Sequence, residues 1–217
     1  ELLNLWETKM KNKMDSLPRE KINAVFSLYS KGDFKKAISQ IKALNETYPN
    51  NPLLFNLIGA CYKELGELEG AIKMFEIAIS INPLYSEAYF NLGVILQDLK
   101  RYDDALKNYK KAISISKNYP DAHNNLGTTL LAIGDYQAAI ESLEWAVAYK
   151  NDFAEAYNNL GNAFNDYGRV NSAIESYDKA IKFKPNYEKA YFNLALVFKD
   201  LGNEDAFLKN INKALKL

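Results

Sequence analysis

An all-α solenoid of antiparallel helix pairs is the fold class this sequence predicts, and three observations carry the expectation. Tyr89, His123, Tyr157 and Tyr191 stand 34 residues apart, and each opens a phrase that runs on to Leu92-Gly93, Leu126-Gly127, Leu160-Gly161 and Leu194-Ala195. A glycine recurs in one register as Gly32, Gly66, Gly134, Gly168 and Gly202, with Lys100 once in its place. Small residues recur on both helices of each unit: Gly59, Gly93, Gly127, Gly161 and Ala195 on the first, Ala37, Ala71, Ala105, Ala139 and Ala173 on the second. A fixed period of this length marks a stack of supersecondary units, each contacting only its neighbours.

Residues 1–17 precede the repeat. Leu2, Trp6, Met10 and Met14 recur at four-residue steps, the pattern of an amphipathic helix. A helical stack needs a covered end, so this helix is expected to cap the first unit, with docking in a groove as the alternative. Six units follow, at 18–51, 52–85, 86–119, 120–153, 154–187 and 188–217, the last one clipped. The first departs from the frame, with Lys21 for the aromatic and Val25 for the glycine.

The fourth unit shows the design most clearly. Its first helix is expected over 121–132, its turn at Gly134-Asp135 and its second helix over 136–149. Glycine suits the turn because it takes positive φ without a Cβ clash. Pro49, Pro83 and Pro185 close second helices, where a missing N–H forbids continuation. Ala78, Ala112, Ala146, Ala180 and Ala214 repeat the small-residue theme near the end of the second helix. Phe75, Tyr109, Leu143 and Tyr177 form one large-residue column, and Tyr62, Leu96, Leu130, Phe164 and Phe198 another. Both are expected to fill the core. In the sixth unit Phe207 replaces the alanine, which predicts a splayed or shifted pair. Phe207, Ile211, Leu215 and Leu217 should leave the last helix with an apolar face that meets a removed domain or a second copy.

Charge and composition exclude several function classes. Lys plus Arg and Asp plus Glu balance at 27 each, so no uniform positive field exists to condense on nucleic acid. No apolar run approaches the roughly 18 residues of a spanning helix, which argues against membrane insertion. Cys61 is the only cysteine, so there is no internal disulfide framework, and a cytoplasmic setting is expected. The chain begins at Glu1 without a methionine, as expected of a processed chain or of a piece of a longer protein. Asn45-Glu46-Thr47 spells a glycosylation acceptor that is read as a chance match.

These columns resemble the tetratricopeptide repeat over residues 18–217: an aromatic, then Leu-Gly, an aromatic or leucine, alanine, an aromatic and alanine, often closing with proline. The resemblance implies a right-handed superhelix, with first helices lining the concave wall and second helices the convex one. On that wall Asn91, Asn125, Asn159 and Asn193 hold one register position in four successive units, and Asn23 holds it in the first. Leu57 breaks the column in the second unit, although Asn56 stands beside it. Asn124 and Asn158 lie next to the column, while Asn162 and Asn165 extend it along one helix.

Asparagine is a mediocre helix former, so a column of it within helices needs a reason. Each amide presents a donor and an acceptor together, which suits the main chain of an extended peptide. First helices about 8–10 Å apart would place one amide about every three residues of such a segment. Two other readings stay open: drift toward Asn at exposed sites, or amides that tie neighbouring repeats together. The column also resembles that of the tetratricopeptide region of O-linked N-acetylglucosamine transferase, which implies peptide binding and not transferase activity.

Glu64, Glu87, Asp98, Asp121, Glu155, Asp166 and Asp200 place mainly acidic residues on the predicted rims, against Arg19, Lys63, Lys189 and Lys199. A neutral or basic partner is favoured. Phe26, Phe90 and Phe192 offer apolar anchors. Family members that clamp acidic chaperone tails use basic groove positions, where this chain has Ile22, Phe26, Leu57, Glu87 and Asn91, so that function is excluded on charge. Catalysis finds no foothold: His123 sits at a packing position, Cys61 has no histidine near it in the frame, and no phosphate loop, cofactor motif or metal-ligand cluster is present. The expected function is therefore a non-catalytic interaction module that binds an extended protein segment. The alternatives are the substrate-recruiting region of a larger enzyme, such as a glycosyltransferase or sulfotransferase, or a scaffold that self-assembles through the N-terminal helix or the C-terminal apolar face.

Overall fold

The computed structural model describes residues 17–217. Leu2, Trp6, Met10 and Met14, on which the expected capping helix rests, lie outside the described residues. Twelve helices and no strand occur among the described residues. In chain order they are α1 (Arg19–Ser30), α2 (Phe34–Thr47), α3 (Pro52–Glu64), α4 (Leu68–Ile81), α5 (Ser86–Asp98) and α6 (Tyr102–Ile115). Then come α7 (Pro120–Ala132), α8 (Tyr136–Tyr149), α9 (Ala154–Asp166), α10 (Val170–Phe183), α11 (Glu188–Asp200) and α12 (Glu204–Ala214). The chain divides into two compact units, Glu1–Leu99 and Lys100–Leu217.

In both units, helices that follow one another in sequence pack together, α1 through α5 in the first and α6 through α12 in the second. In the second unit the first helix of one repeat also touches the first helix of the next, α7 with α9 and α9 with α11. The second helices α8, α10 and α12 make no comparable contact with one another. The first helices therefore lie on the inner, tighter face. In the first unit α3 and α5 meet in the same way.

The fourth repeat shows how the sequence sets the ends. Its first helix begins at Pro120, one residue before the expected start, because proline with no N–H is at home in a first turn. At its other end Gly134 takes φ +81°, its N–H reaches Leu131 O at 3.0 Å and the Asp135 N–H reaches Leu130 O at 3.0 Å. That pair of bonds consumes the orphan carbonyls of the last turn. The Asp135 side chain then accepts from the Ala138 N–H and starts the second helix.

Lys100 adopts the same left-handed turn at φ +58° without being glycine. A Cβ in that region costs about 1–2 kcal/mol, partly offset by the greater chain entropy that glycine loses on folding. Lys100→Gly should raise the stability of the chain by roughly 0.5–1 kcal/mol, read as a higher urea midpoint with an unchanged slope.

The glycine column on the first helices is a packing device. A Cβ on Gly127 would stand 2.5 Å from Leu143 Cγ, and one on Gly161 would stand 2.5 Å from Tyr177 Cε1. Gly59 meets Phe75 at 2.6 Å in the same way. The small residue of the first helix thus faces the large residue of the second, and at Gly127 it also approaches the small one expected from the sequence, with Ala139 O 3.2 Å from the same Cβ. Repeat one departs in both partners at once: Val25 replaces the glycine and Ile41 the aromatic, and both are buried in one core cluster with Ile38, Leu44, Leu54 and Ile58. Repeat six does the same with Ala195 and Ile211. Volume lost on one helix is restored on the other, the substitution that packed cores tolerate best. Phe207 is half-buried, and its helix packs on α11; the departure of this repeat shows as length, with 11 residues in α12 against 14 in α10.

Candidate functional site

The predicted asparagine column falls at the sixth residue of four first helices, on α5, α7, α9 and α11. Its side chains are half-buried and are engaged sideways, along the stack. In the first unit Asn91 Nδ2 donates to Asn56 Oδ1 at 2.9 Å. In the second, Asn159 donates to Asn124 Oδ1 and Asn193 to Asn158 Oδ1, each at 3.0 Å. Every such bond reaches back 35 positions, one repeat plus one residue. The acceptors are 8%, 3% and 4% exposed, and a buried amide left without a partner is costly, so these bonds hold adjacent first helices in register.

Two members complete or depart from this pattern. Asn193 has a second acceptor in Asn162 Oδ1 at 3.0 Å, which also receives the Tyr177 hydroxyl at 2.7 Å. Both N–H bonds of Asn193 are therefore spoken for. For Asn125 the residue 35 positions earlier is Phe90, and its Oδ1 accepts instead from Asn124 Nδ2 at 3.2 Å. Asn23 is exposed and Asn165 half-buried, and neither side chain joins the network.

A staple uses only part of an asparagine, which has two N–H donors and an oxygen with two lone pairs. The unused part opens on a cavity of about 440 Å3 between α9 and α11. Asn158, Asn159, Asn162 and Asn193 line it together with Phe192 and Tyr187, and Glu155, Glu188 and Lys189 complete its lining. Four of the ten asparagines singled out in the sequence thus converge on one concavity. Asn159 and Asn193 keep their Oδ1 atoms free there, and the buried Asn158 keeps its Nδ2. Acceptors and donors both remain open among these amides, as the main chain of an extended segment requires.

Two tyrosines that end repeats, Tyr85 and Tyr187, stand near this face, and Tyr85 is bonded to one of its amides. Burial, then Glu87, pushes the Tyr85 hydroxyl up to about 12, opposed by a hydrogen bond from Asn56. Tyr187 is raised by burial and by Glu155. Of the expected anchors, Phe26 is 48% and Phe192 46% exposed, whereas Phe90 is half-buried. The rim carboxylates Glu64, Glu87, Asp98, Asp121, Glu155, Asp166 and Asp200 are all exposed. Tyr177 and Tyr187 were not legible as part of the site, although the doubled phrases Asn124-Asn125 and Asn158-Asn159 do announce the staple.

The residues that catalysis would need are committed elsewhere. Burial pushes the Cys61 thiol up to about 11, with Glu64 adding to it, so a nucleophilic thiolate is disfavoured. His123 is buried beside Trp145 and Tyr149, its Nε2 lies 3.2 Å from Lys117 O, and its Nδ1 is buried without a partner. Burial lowers its pKa, against a smaller opposing effect of the Lys117 carbonyl. A histidine held neutral in the fold binds fewer protons than in the unfolded chain. Stability should therefore be full above the ordinary histidine pKa of about 6.5 and should fall as pH drops below it. His123→Tyr, the residue of neighbouring repeats, should flatten this part of the urea-midpoint profile between about pH 8 and pH 5.

No described helix is long and apolar enough to cross a membrane. Family models described as tetratricopeptide repeat match residues 84–152 and 188–217, and one described as TPR repeat matches 59–100 and 161–202. A crystal structure of MamA is 31% identical, covers 73% of this chain and 93% of its own, and superposes with a TM-score of 0.68. PilF of Pseudomonas aeruginosa matches the fold at a TM-score of 0.80, with 15% identity over 93% of this chain and 90% of its own. YrrB, described as a TPR protein with an unusual peptide-binding site, matches at 0.68, with 19% identity over 81% of this chain and 91% of its own. No curated protein matches the sequence.

Proposed function

Because the chain belongs to the tetratricopeptide repeat family, we propose that it is a protein-interaction module without catalytic activity, holding an extended segment of another protein against the asparagine face of its first helices. The single observation that carries this reading is the cavity between α9 and α11, where amides already fixed by inter-repeat bonds leave Asn159 Oδ1, Asn193 Oδ1 and Asn158 Nδ2 free. Groups fixed before the ligand arrives lose little freedom on binding, which raises affinity for a given set of contacts. Main-chain contacts of this kind grip a segment without demanding a particular sequence, and Phe192 supplies an apolar anchor.

Selection from a random-peptide library tests the reading. Selected peptides should lose binding to the Phe192→Ser protein and keep it with Trp145→Ser, whose indole is 55% exposed on the second helix α8. Binding that survives the first change and fails with the second would place the ligand on the outer helices and overturn the proposal. A second reading, self-assembly, is favoured by Leu208, Leu215 and Leu217 at 45%, 80% and 49% exposure in and just after α12. Light scattering checks it: a mass that grows with concentration and reverts with Leu215→Ser supports assembly through this face.

A further inference from the structure

We propose that the cavity between α9 and α11 receives an arginine side chain of the bound segment. This inference rests on the groove-binding reading and names what that groove selects. The first ground is the charge of the lining. Among its amides Asn193 offers an acceptor only, since both its N–H bonds are used on Asn158 and Asn162. Asn159 keeps its oxygen and one N–H, and Asn158 and Asn162 keep N–H donors, so the amides suit either kind of partner and the charged side chains decide. Glu155 and Glu188 add two carboxylates against the single ammonium of Lys189, and neither is in an ion pair among the described residues. A guanidinium has five donors and no acceptor, and it pairs with carboxylates in a planar fork.

The second ground is the ring of Phe192. Among the described residues four aromatic rings already carry a cation of the chain: Lys150 over Phe153, Arg169 over Tyr167, Lys179 over Tyr157 and Lys184 over Tyr187. Phe192 lines the cavity, stands 46% exposed and has no such cation among the described contacts. A guanidinium laid on that face gains the attraction of a cation to the ring quadrupole while its edge meets the carboxylates. A neutral or acidic side chain gains neither.

The probe is N-acetyl-arginine N-methylamide, titrated into the labelled protein while the side-chain amide signals of Asn158, Asn159 and Asn162 are followed by NMR. Saturable shifts of these signals are expected, with the citrulline analogue, neutral and of the same shape, binding about tenfold more weakly. The Glu155→Gln/Glu188→Gln protein, altered at two exposed sites, should lose that preference while keeping its helical circular dichroism. Equal response to arginine and citrulline, a preference that survives the double change, or a lysine analogue bound more tightly than arginine would overturn the proposal. The two readings fail separately. Selected peptides without arginine enrichment sink this inference and leave the groove standing, whereas arginine binding with no selectable peptide sinks the groove and leaves the cavity.

Discussion

Converting Asn91, Asn125, Asn159 and Asn193 together to alanine is expected to remove two or more orders of magnitude of affinity for an extended segment and to lower the urea midpoint as well. The binding loss follows from about 0.5–1.5 kcal/mol per hydrogen bond given up, taken without strict additivity. Stability falls because three of the four side chains are inter-repeat donors. Each deletion orphans a buried amide oxygen, at a cost of about 1–3 kcal/mol. Alanine returns only about 0.5 kcal/mol of helix propensity per site. From the sequence alone, where exposed asparagines give way to a better helix former, stability would be expected to stay nearly intact. The single variant Asn125→Ala breaks no bond between repeats within its unit, but it leaves Nδ2 of Asn124, which is 3% exposed, without its acceptor. It should weaken binding and lower the midpoint by the cost of one orphaned amide, less than the quadruple variant does. Binding is compared by calorimetry at a temperature where circular dichroism shows every variant folded. An unchanged or raised midpoint for the quadruple variant would mean that the staples do not hold in solution.

Gly161→Ala is expected to destabilise the chain by about 3 kcal/mol, at the upper end of overpacking costs. On propensity alone the change should stabilise α9 by about 1 kcal/mol, so the sign identifies packing as the cause. The new methyl would lie 2.5 to 2.8 Å from three atoms of the Tyr177 ring, which is 2% exposed. That ring cannot swing aside freely, because its hydroxyl is bonded to Asn162 Oδ1 and through it to Asn193. Adding Tyr177→Ile recreates the Ala195 and Ile211 pair of repeat six and should restore part of the loss. A coupling energy near zero between the two changes, measured by a double-mutant cycle on urea midpoints, would show that the two positions do not pack as a unit. The disturbance should also reach the cavity, seen as shifted side-chain amide signals of Asn162 and Asn193.

The sequence by itself determined the repeating helix pair and, in the fourth repeat, where its helices begin and end. The 34-residue period placed the fourth repeat's helices at 121–132 and 136–149, against Pro120–Ala132 and Tyr136–Tyr149 in the structure. It set Lys100 apart as the exception in the turn-glycine column, and the structure shows that Lys100 takes the same left-handed turn. These features are local: caps, turns and apolar periodicity act within a few residues of chain, so each repeat states them independently. The asparagine column was legible as a column, but the direction of its amides was not. That direction depends on which atom of the preceding repeat lies within about 3 Å, and only packed first helices decide it. Likewise the pattern showed small and large columns without showing that Gly161 faces Tyr177 or that Val25 and Ile41 share one buried cluster, because the pairing is set by how two helices interdigitate. The cavity belongs wholly to this second level. Glu155 and Asn159 share one helix while Phe192 and Asn193 lie a full repeat further on, and it takes the stacking of α9 on α11 to turn an asparagine pattern into a place where a ligand can sit.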